Sequence, residues 1–320
     1  MKMKKVLYVI ATGLMALSLS VGCGKSESPK QAIHIAALNG PTGMGMAKMM
    51  KDGSKDYEIS LYQSPDELTG KIISGDLDIA CVPSNLAAVL YQKTEKNIDL
   101  LGMNTLGVLY IVEKGDTINN IEDLRGTTIL ASGQGSTPEY VLNELLSDAG
   151  MTPGSDVTID YLGNHTEVVN KLLAGEGSIA LLPEPHVSIA ESKDSSVRTA
   201  LDLNEAWKSK EGTDLPMGVI IARKDYVDAN EGAVKAFLKD YETSVKYVNE
   251  HQEEAGQMMV EAGLFENAEL AARAISSSHI VFEDGKAAQA DLETFYKILE
   301  KVNPKSIGGN LPDEAFYYGN

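Results

Sequence analysis

The chain has 320 residues, 43% apolar and 23% charged, globular numbers that exclude a disordered tail, a collagen-like fibre and a polytopic membrane protein. Lys and Arg total 28 against 46 Asp and Glu, a net charge of -18; a phosphate backbone would be repelled, so nucleic acid is excluded as a partner. At roughly 150 residues per domain the length predicts about two domains, each able to bury its own core.

Lys2, Lys4 and Lys5 precede an uncharged run from Val6 to Val21, followed by Gly22, Cys23 and a polar stretch to Lys30. That is the n-region, h-region and small-residue cleavage site of a signal peptide spanning 1-22, too short an apolar run for the ~20 residues of a membrane span. Leu19-Ser20-Val21-Gly22-Cys23 resembles the lipobox of bacterial lipoproteins, in which the cysteine is lipidated; Ser20 departs from the commoner Leu. By that resemblance Cys23 carries the lipid, palmitate included, and 23-31 is a flexible tether. Only Cys81 then remains, which cannot form an intramolecular disulfide. An exported chain of this kind is expected lipid-anchored on the outer face of a Gram-positive cell membrane.

From Ile33 to Leu38 a strand is predicted, then the turn Asn39-Gly40-Pro41-Thr42-Gly43 and a helix from about Met44. Farther on the chain repeats itself. Lys71 to Ser84 aligns with Lys171 to Glu184 at a constant offset of 100, matching Lys, Gly, Ile, Ala and Pro, and the strand-like runs 59-62 and 159-162 keep the offset. Each copy reads as a helix closed by Gly, a short buried strand and a Pro that stops the ladder. A second strand, Thr128 to Ala131, leads through Ser132-Gly133-Gln134-Gly135-Ser136-Thr137-Pro138 into a helix ending at Ala149, with Val141, Leu142, Leu145 and Leu146 as its buried stripe. Ser136 with Glu139 three places on predicts a capping box. Met217 to Ala222 is a strand, Asp225 to Asn230 a turn-rich return, and long helices follow, one faced by Val234, Phe237, Tyr241 and Val248, another by Leu292, Phe295, Leu299 and Val302 before Asn303-Pro304.

Strands alternating with helices predict an α/β chain of two similar lobes, with mixed, mostly parallel sheets joined by a two-segment hinge. The expected division is 32-112 with 223-320 as lobe I and 113-222 as lobe II, with crossings near Ile111 to Lys114 and Ala222 to Lys224.

Chemistry is sparse. His34, His165, His186, His251 and His279 form no pair at i, i+4 around a Glu, and there is no CxxC, so no metal or cofactor is expected. Gly133-Gln134-Gly135-Ser136 matches neither GxSxG nor a P-loop, so an enzyme is not expected. What remains is two Gly-rich turns opening onto helix N-termini, uncharged sites for an anionic or electron-rich group. Ligands of open α/β sheets sit beyond the carboxyl ends of strands, where these turns and the tips at Ser84 and Glu184 lie.

With the lipobox, the segment Asp123 to Ile129, the turn Gly135 to Tyr140 and Leu181-Leu182-Pro183-Glu184-Pro185, the chain resembles the solute-binding lipoproteins of ABC importers, in the nitrate, sulfonate, taurine and thiamine-precursor branch with the type II periplasmic-binding-protein fold. The likeness covers residues 32-320. It implies a monomer that captures a solute between lobes and hands it to membrane permease and ATPase subunits. It also implies ligand contacts at Asn39, Thr42, Gly43, Met44, Tyr62, Ser84, Asn85, Ser132, Gln134, Ser136, Thr137, His165 and Glu184. Ser136, Thr137 and His165 read equally well as helix caps, and Met44 as core. Glu184 invites an amine or ring N-H, or is a solvated loop acid. Oxyanion binders of the family would want a cation clamp; Lys48 and Arg125 are the only cations nearby, which points to a small nitrogenous organic solute. A pyrimidine-synthase- or dehydratase-like enzyme on the same fold, and a nitrate or sulfonate binder, are the alternatives.

Overall fold

The computed structural model describes residues 32-319; the signal peptide, Cys23 and the tether lie outside the described residues. In chain order the elements are β1 (Ile33-Leu38), α1 (Pro41-Met44), α2 (Ala47-Asp52), β2 (Tyr57-Tyr62), α3 (Pro65-Ser74), β3 (Ile79-Pro83), α4 (Ser84-Lys93), β4 (Ile98-Thr105) and β5 (Leu109-Lys114). Then come β6 (Thr128-Ala131), α5 (Thr137-Asp148), β7 (Thr158-Tyr161), α6 (His165-Ala174), β8 (Ile179-Pro183), α7 (His186-Lys193), β9 (Val197-Asp202) and α8 (Leu203-Glu211). The chain ends with β10 (Gly218-Arg223), α9 (Lys224-Glu250), α10 (Gln252-Glu261), α11 (Ala268-Ser277), β11 (Ile280-Asp284), α12 (Gln289-Val302) and a 3-10 turn, Pro304-Ile307.

The strands form two sheets, ordered β11-β4-β10-β3-β1-β2 and β7-β6-β8-β5-β9. In the first, β1 pairs parallel with β2 and β3; in the second, β6 pairs parallel with β7 and β8. The strand beside each copy is antiparallel, β10 on β3 and β5 on β8, so both sheets are mixed. These two sheets with their helices are the lobes.

The internal repeat is a structural repeat. Helices α3 and α6 are capped by Ser64 and Asn164, whose side chains accept backbone N-H groups of the first turn. Both end in a glycine in the left-handed region, Gly75 at φ 83° and Gly175 at φ 75°, which a residue with a Cβ enters only with strain. Residues 81-90 and 181-190 share one sequence of buried and half-buried positions. The repeat thus fixes helix, cap, strand and strand exit together.

Strand pairing moves the crossings. β5, starting at Leu109, already belongs to the second sheet, and β10, starting at Gly218, to the first. The chain therefore leaves the first sheet through Leu106-Gly107-Val108 and returns through the segment after α8, not at 111-114 and 222-224. The expectation failed because a short buried strand carries no mark of which sheet it joins; its antiparallel partner decides. Asp225 to Asn230 is not a return loop either. It is the first stretch of α9, kinked at Asn230 (φ -134°, ψ 34°), since Pro is absent and Val227 is buried in the same cluster as Val234 and Phe237 farther along the helix. The predicted helix from Met44 is two: α1 opens inside the turn with Pro41 in its first turn, and α2 begins at Ala47.

Three apolar clusters hold the chain. One spans both sheets and α12; another joins the first sheet to α2, α9, α10 and α11; the third lies between the second sheet and α6 and α7. The stripe Val141, Leu142, Leu145 and Leu146 of α5 is buried as its spacing predicts.

Candidate functional site

Each copied strand ends at a tip whose backbone N-H reaches across to a crossing segment. The Ser84 N-H donates to the Met217 carbonyl at 3.0 Å, and the Glu184 N-H to the Val108 carbonyl at 3.0 Å. The tips therefore sit where the lobes join, and the residues there differ.

On the first lobe Ser84 is 1% exposed. Its hydroxyl donates to the Pro216 carbonyl at 2.6 Å, and its own carbonyl accepts from the Tyr296 hydroxyl at 2.9 Å. Asn85 donates to the Ser306 carbonyl at 3.4 Å. Thr42 is held through its carbonyl by Asn104 at 3.1 Å, and Asn39 donates to Gly263 O at 3.4 Å. Gly43 is buried where a Cβ would lie 2.8 Å from the Leu38 carbonyl oxygen, so glycine there is required by close approach. Met44 is fully buried, a core residue. Tyr62 is half-buried beneath Lys71, whose ammonium stands 5.9 Å from the ring centre.

On the second lobe the end of β6 meets the starts of α6 and α7. Ser132 Oγ and His165 Nδ1 are 2.6 Å apart, and the rings of His165 and His186 are 5.1 Å apart centre to centre. His165 is the first residue of α6 and His186 the first of α7, while the turn from Ser132 runs straight into α5. Helix starts carry unpaired N-H groups and a positive end of the dipole. Burial, with His186 adding to it, lowers the His165 pKa to about 4, and burial lowers that of His186, so both imidazoles are neutral at pH 7. His186 Nδ1 is buried without a hydrogen-bond partner. Thr137 is buried, Ser136 half-buried and Gln134 exposed.

The predicted capping box does not form. Ser136 caps nothing with its side chain; its hydroxyl donates to the Gly133 carbonyl at 2.5 Å. Glu139 accepts instead from the Gly135 N-H at 2.6 Å. Gly133 and Gly135, at φ 78° and 75°, turn the backbone so that the 135 amide, rather than that of Ser136, faces the carboxylate. His165 is not the cap of α6; Asn164 is.

Glu184 is neither a solvated acid nor an unengaged one. It is 3% exposed, and its carboxylate accepts from the Ser188 N-H at 3.3 Å, the Ser188 hydroxyl at 3.0 Å and the hydroxyl of Ser277 on α11. Burial raises its pKa, opposed by those hydrogen bonds. The two cations considered are engaged: Lys48 with Asp52 and over the Tyr247 ring, Arg125 with Asp156 at 3.2 Å and the Gly150 carbonyl at 3.1 Å. Among the described residues no group of three or more His, Cys, Asp or Glu could hold a metal.

The sequence gives no sign of Asn104 or Ser277, and it puts His186 at the second tip without marking it as a ligand contact. His186 had a signal, since it stands at the echo of Leu86 in the copied tip; Ser277 and Asn104 had none, as each reaches the site only through distant pairing.

Residues 46-270 match the family model for the phosphonate periplasmic substrate-binding proteins of ABC transporters. Among curated proteins, a binding protein of Bacillus subtilis (strain 168), YtlA, is 21% identical over 248 residues, 75% of this chain and 72% of its own. An ABC transporter structure from Parabacteroides distasonis superposes with a TM-score of 0.79 at 26% identity, covering 90% of this chain and 98% of that one. The aliphatic sulphonate binding protein SsuA of Escherichia coli gives 0.68 at 17% identity, over 88% and 96% of the two chains. The nitrate-binding protein NrtA of Synechocystis PCC 6803 gives 0.56 at 17%, over 76% and 69%. These two share the fold. No helix among the described residues is long and apolar enough to cross a membrane. With two sheets bridged by two crossings and a matched region of this extent, the chain belongs to the phosphonate-type family of ABC-transporter substrate-binding proteins, which are receptors rather than enzymes.

Proposed function

We propose that this substrate-binding component closes its lobes on a small organic solute bearing an oxyanion, a phosphonate or sulfonate, and delivers it to a membrane permease. The observation that carries this is the meeting of Ser132, at the end of β6, with His165 and His186, the first residues of α6 and α7. Neutral side-chain donors beside helix N-termini hold an anion without a cation clamp, the helix dipoles adding a favourable field. The case for an amine loses its main support, since the Glu184 carboxylate is buried and already accepts from Ser188 and Ser277. A nitrogenous ring solute remains a second reading, because an electron-rich ring nitrogen accepts from the same donors.

The mechanism is population shift. Solute that touches both lobes binds the closed form better, and the closed fraction rises by that differential affinity. Lobe I comprises the first sheet with the C-terminal helices, lobe II the second sheet, and the hinge is 106-108 with the segment after α8. Cys23 anchors the monomeric receptor outside the cell membrane through its lipid.

A thermal-shift screen of methylphosphonate, alkanesulfonates, nitrate, pyrimidines and amines tests the solute class. An oxyanion at about 100 times its Kd should stabilise the protein by about 2.7 kcal/mol. Stabilisation by amines alone would overturn the reading. For the anchor, a palmitate label should enter wild type and not Cys23→Ser, which should be shed into the medium.

A further inference from the structure

Past α12 the chain crosses from one tip to the other. Asn303, the last residue before the 3-10 turn, donates through Nδ2 to the hydroxyl of Tyr140 on α5 at 2.7 Å. That hydroxyl donates in turn to the Gly135 carbonyl at 2.7 Å, inside the glycine turn that leads from Ser132 into α5. Three residues later the Ser306 carbonyl accepts from Asn85, on the tip of the first lobe. A single short segment therefore touches the solute-facing turn of lobe II and the tip of lobe I.

The segment is fixed to lobe I. Asn303 Oδ1 accepts the Lys305 N-H at 3.3 Å, and the Ser306 hydroxyl donates to the Asn303 carbonyl at 2.7 Å. The turn stops at Gly308, φ 83°, so close to α4 that a Cβ would lie 3.0 Å from the Gln92 side chain and 3.2 Å from Val89 Cα. Beyond it Gln92 donates to the Asn310 carbonyl at 3.2 Å, and Tyr91 to Asp313 at 2.6 Å. The Asn303 amide thus approaches Tyr140 from a segment seated on α4, so the bond ties that seat to the glycine turn of lobe II. Tyr140 is 5% exposed, so the loss of a partner there is not made good by water.

We propose that Asn303 and Tyr140 are positioning residues for solute capture: a clasp in which the lobe I strap holds the Gly133-Ser136 turn of lobe II in place when the lobes meet. The clasp rests on the two-lobe receptor reading but not on the identity of the solute. It works through the turn and touches no solute itself.

Hydrogen exchange on the solute-free, full-length protein tests it. Tyr140→Phe keeps the ring and removes both bonds. Asn303→Asp keeps the acceptor for the Lys305 N-H and removes the donor. Each variant should speed exchange of the backbone amides between 133 and 139, Pro138 excepted, roughly fivefold, the worth of one net hydrogen bond to a local opening, while amides of β6, α6 and the 3-10 turn keep their wild-type rates. The same variants should weaken binding of methylphosphonate by a similar factor. If Asn303→Asp leaves the 133-139 amides at the wild-type rate, the bond from lobe I contributes nothing and the clasp is overturned, even if Tyr140→Phe speeds them. If wild type ignores methylphosphonate and every other oxyanion, the proposed solute class falls, and the exchange arm still decides the clasp.

Discussion

The two copied tips are one backbone plan with two different contents. Ser84 and Glu184 occupy matched positions, each sending its N-H to a crossing segment, in a run whose burial pattern is the same on both sides. Yet Ser84 is tied by its hydroxyl to the returning segment at Pro216, while Glu184 buries a carboxylate against Ser188 and Ser277. The repeat specifies where a tip stands. The residue on it specifies what it grips, and on the second lobe that grip leaves Ser132, His165 and His186 as the groups free of structural carboxylates.

Register-matched substitutions test how far the plan is shared. Leu109 and Gly218 open the strands that pair with the two copies, opposite Pro183 and Pro83. Leu109 is fully buried, so Leu109→Ala should cost about 3 kcal/mol by leaving a cavity. At Gly218 a Cβ would meet Asn104 Oδ1 at 2.5 Å, Thr42 Cγ2 at 2.8 Å and Thr105 Oγ1 at 2.9 Å, so Gly218→Ala should cost about 2 kcal/mol by overpacking. Denaturant unfolding measures both, and a neutral Gly218→Ala would show that the tip at Thr42 is looser than its contacts imply.

The carboxylate and imidazoles give opposite responses to pH. His165 has a folded pKa of about 4, below its ordinary 6.5, so its neutral form contributes stability that is full above pH 6.5 and lost as pH falls towards 4. That contribution is at most about 3 kcal/mol, and His165→Gln should remove it, flattening unfolding free energy between pH 6.5 and 4. Glu184 is raised by burial, so its charge weakens the fold as pH rises past the ordinary carboxylate range. Glu184→Gln should therefore be more stable than Glu184→Ala by about 1 to 2 kcal/mol at pH 7, since Ala strands the Ser188 and Ser277 donors. Equal losses would mean that those hydrogen bonds carry no weight.

The smallest contrast lies at the helix ends. Gly175→Ala has open space around its Cβ and should cost about 1 kcal/mol for the left-handed backbone alone. Gly75→Ala should cost more, because its Cβ would fall 2.4 Å from Arg223 Nη1, which donates to the Gly75 carbonyl while Nη2 of the same guanidinium pairs with Asp78.

What was legible in the sequence was local. Helix, glycine cap, strand and proline follow one another within about fourteen residues in each copy, so their chemistry survives without tertiary context. β4 was not legible, although all eight of its residues are buried. Asp99, Gly102 and Asn104 break its apolar run, and each is explained only by a distant partner: Lys224 at 3.6 Å, the Glu283 carbonyl oxygen 2.5 Å from a Cβ at 102, and the Thr42 carbonyl at 3.1 Å. The clasp was invisible for the same reason, since Asn303-Pro304 reads as a helix stop and nothing in it names Tyr140, 163 positions away. The site was legible as a set of turns, and its polarity was not, because Glu184 is disarmed by a serine on a helix far along the chain.

Closure of the two lobes on solute is the central claim, and an interlobe distance measures it. Spin labels at Glu176→Cys on lobe II and Lys239→Cys on lobe I, both exposed positions, report that separation in the presence and absence of the solute that raises the melting temperature. Two populations are expected in the free protein's distance distribution, with a shift to one of them at saturating solute and half-shift at the Kd measured by calorimetry. Saturable binding with an unchanged distribution would contradict closure.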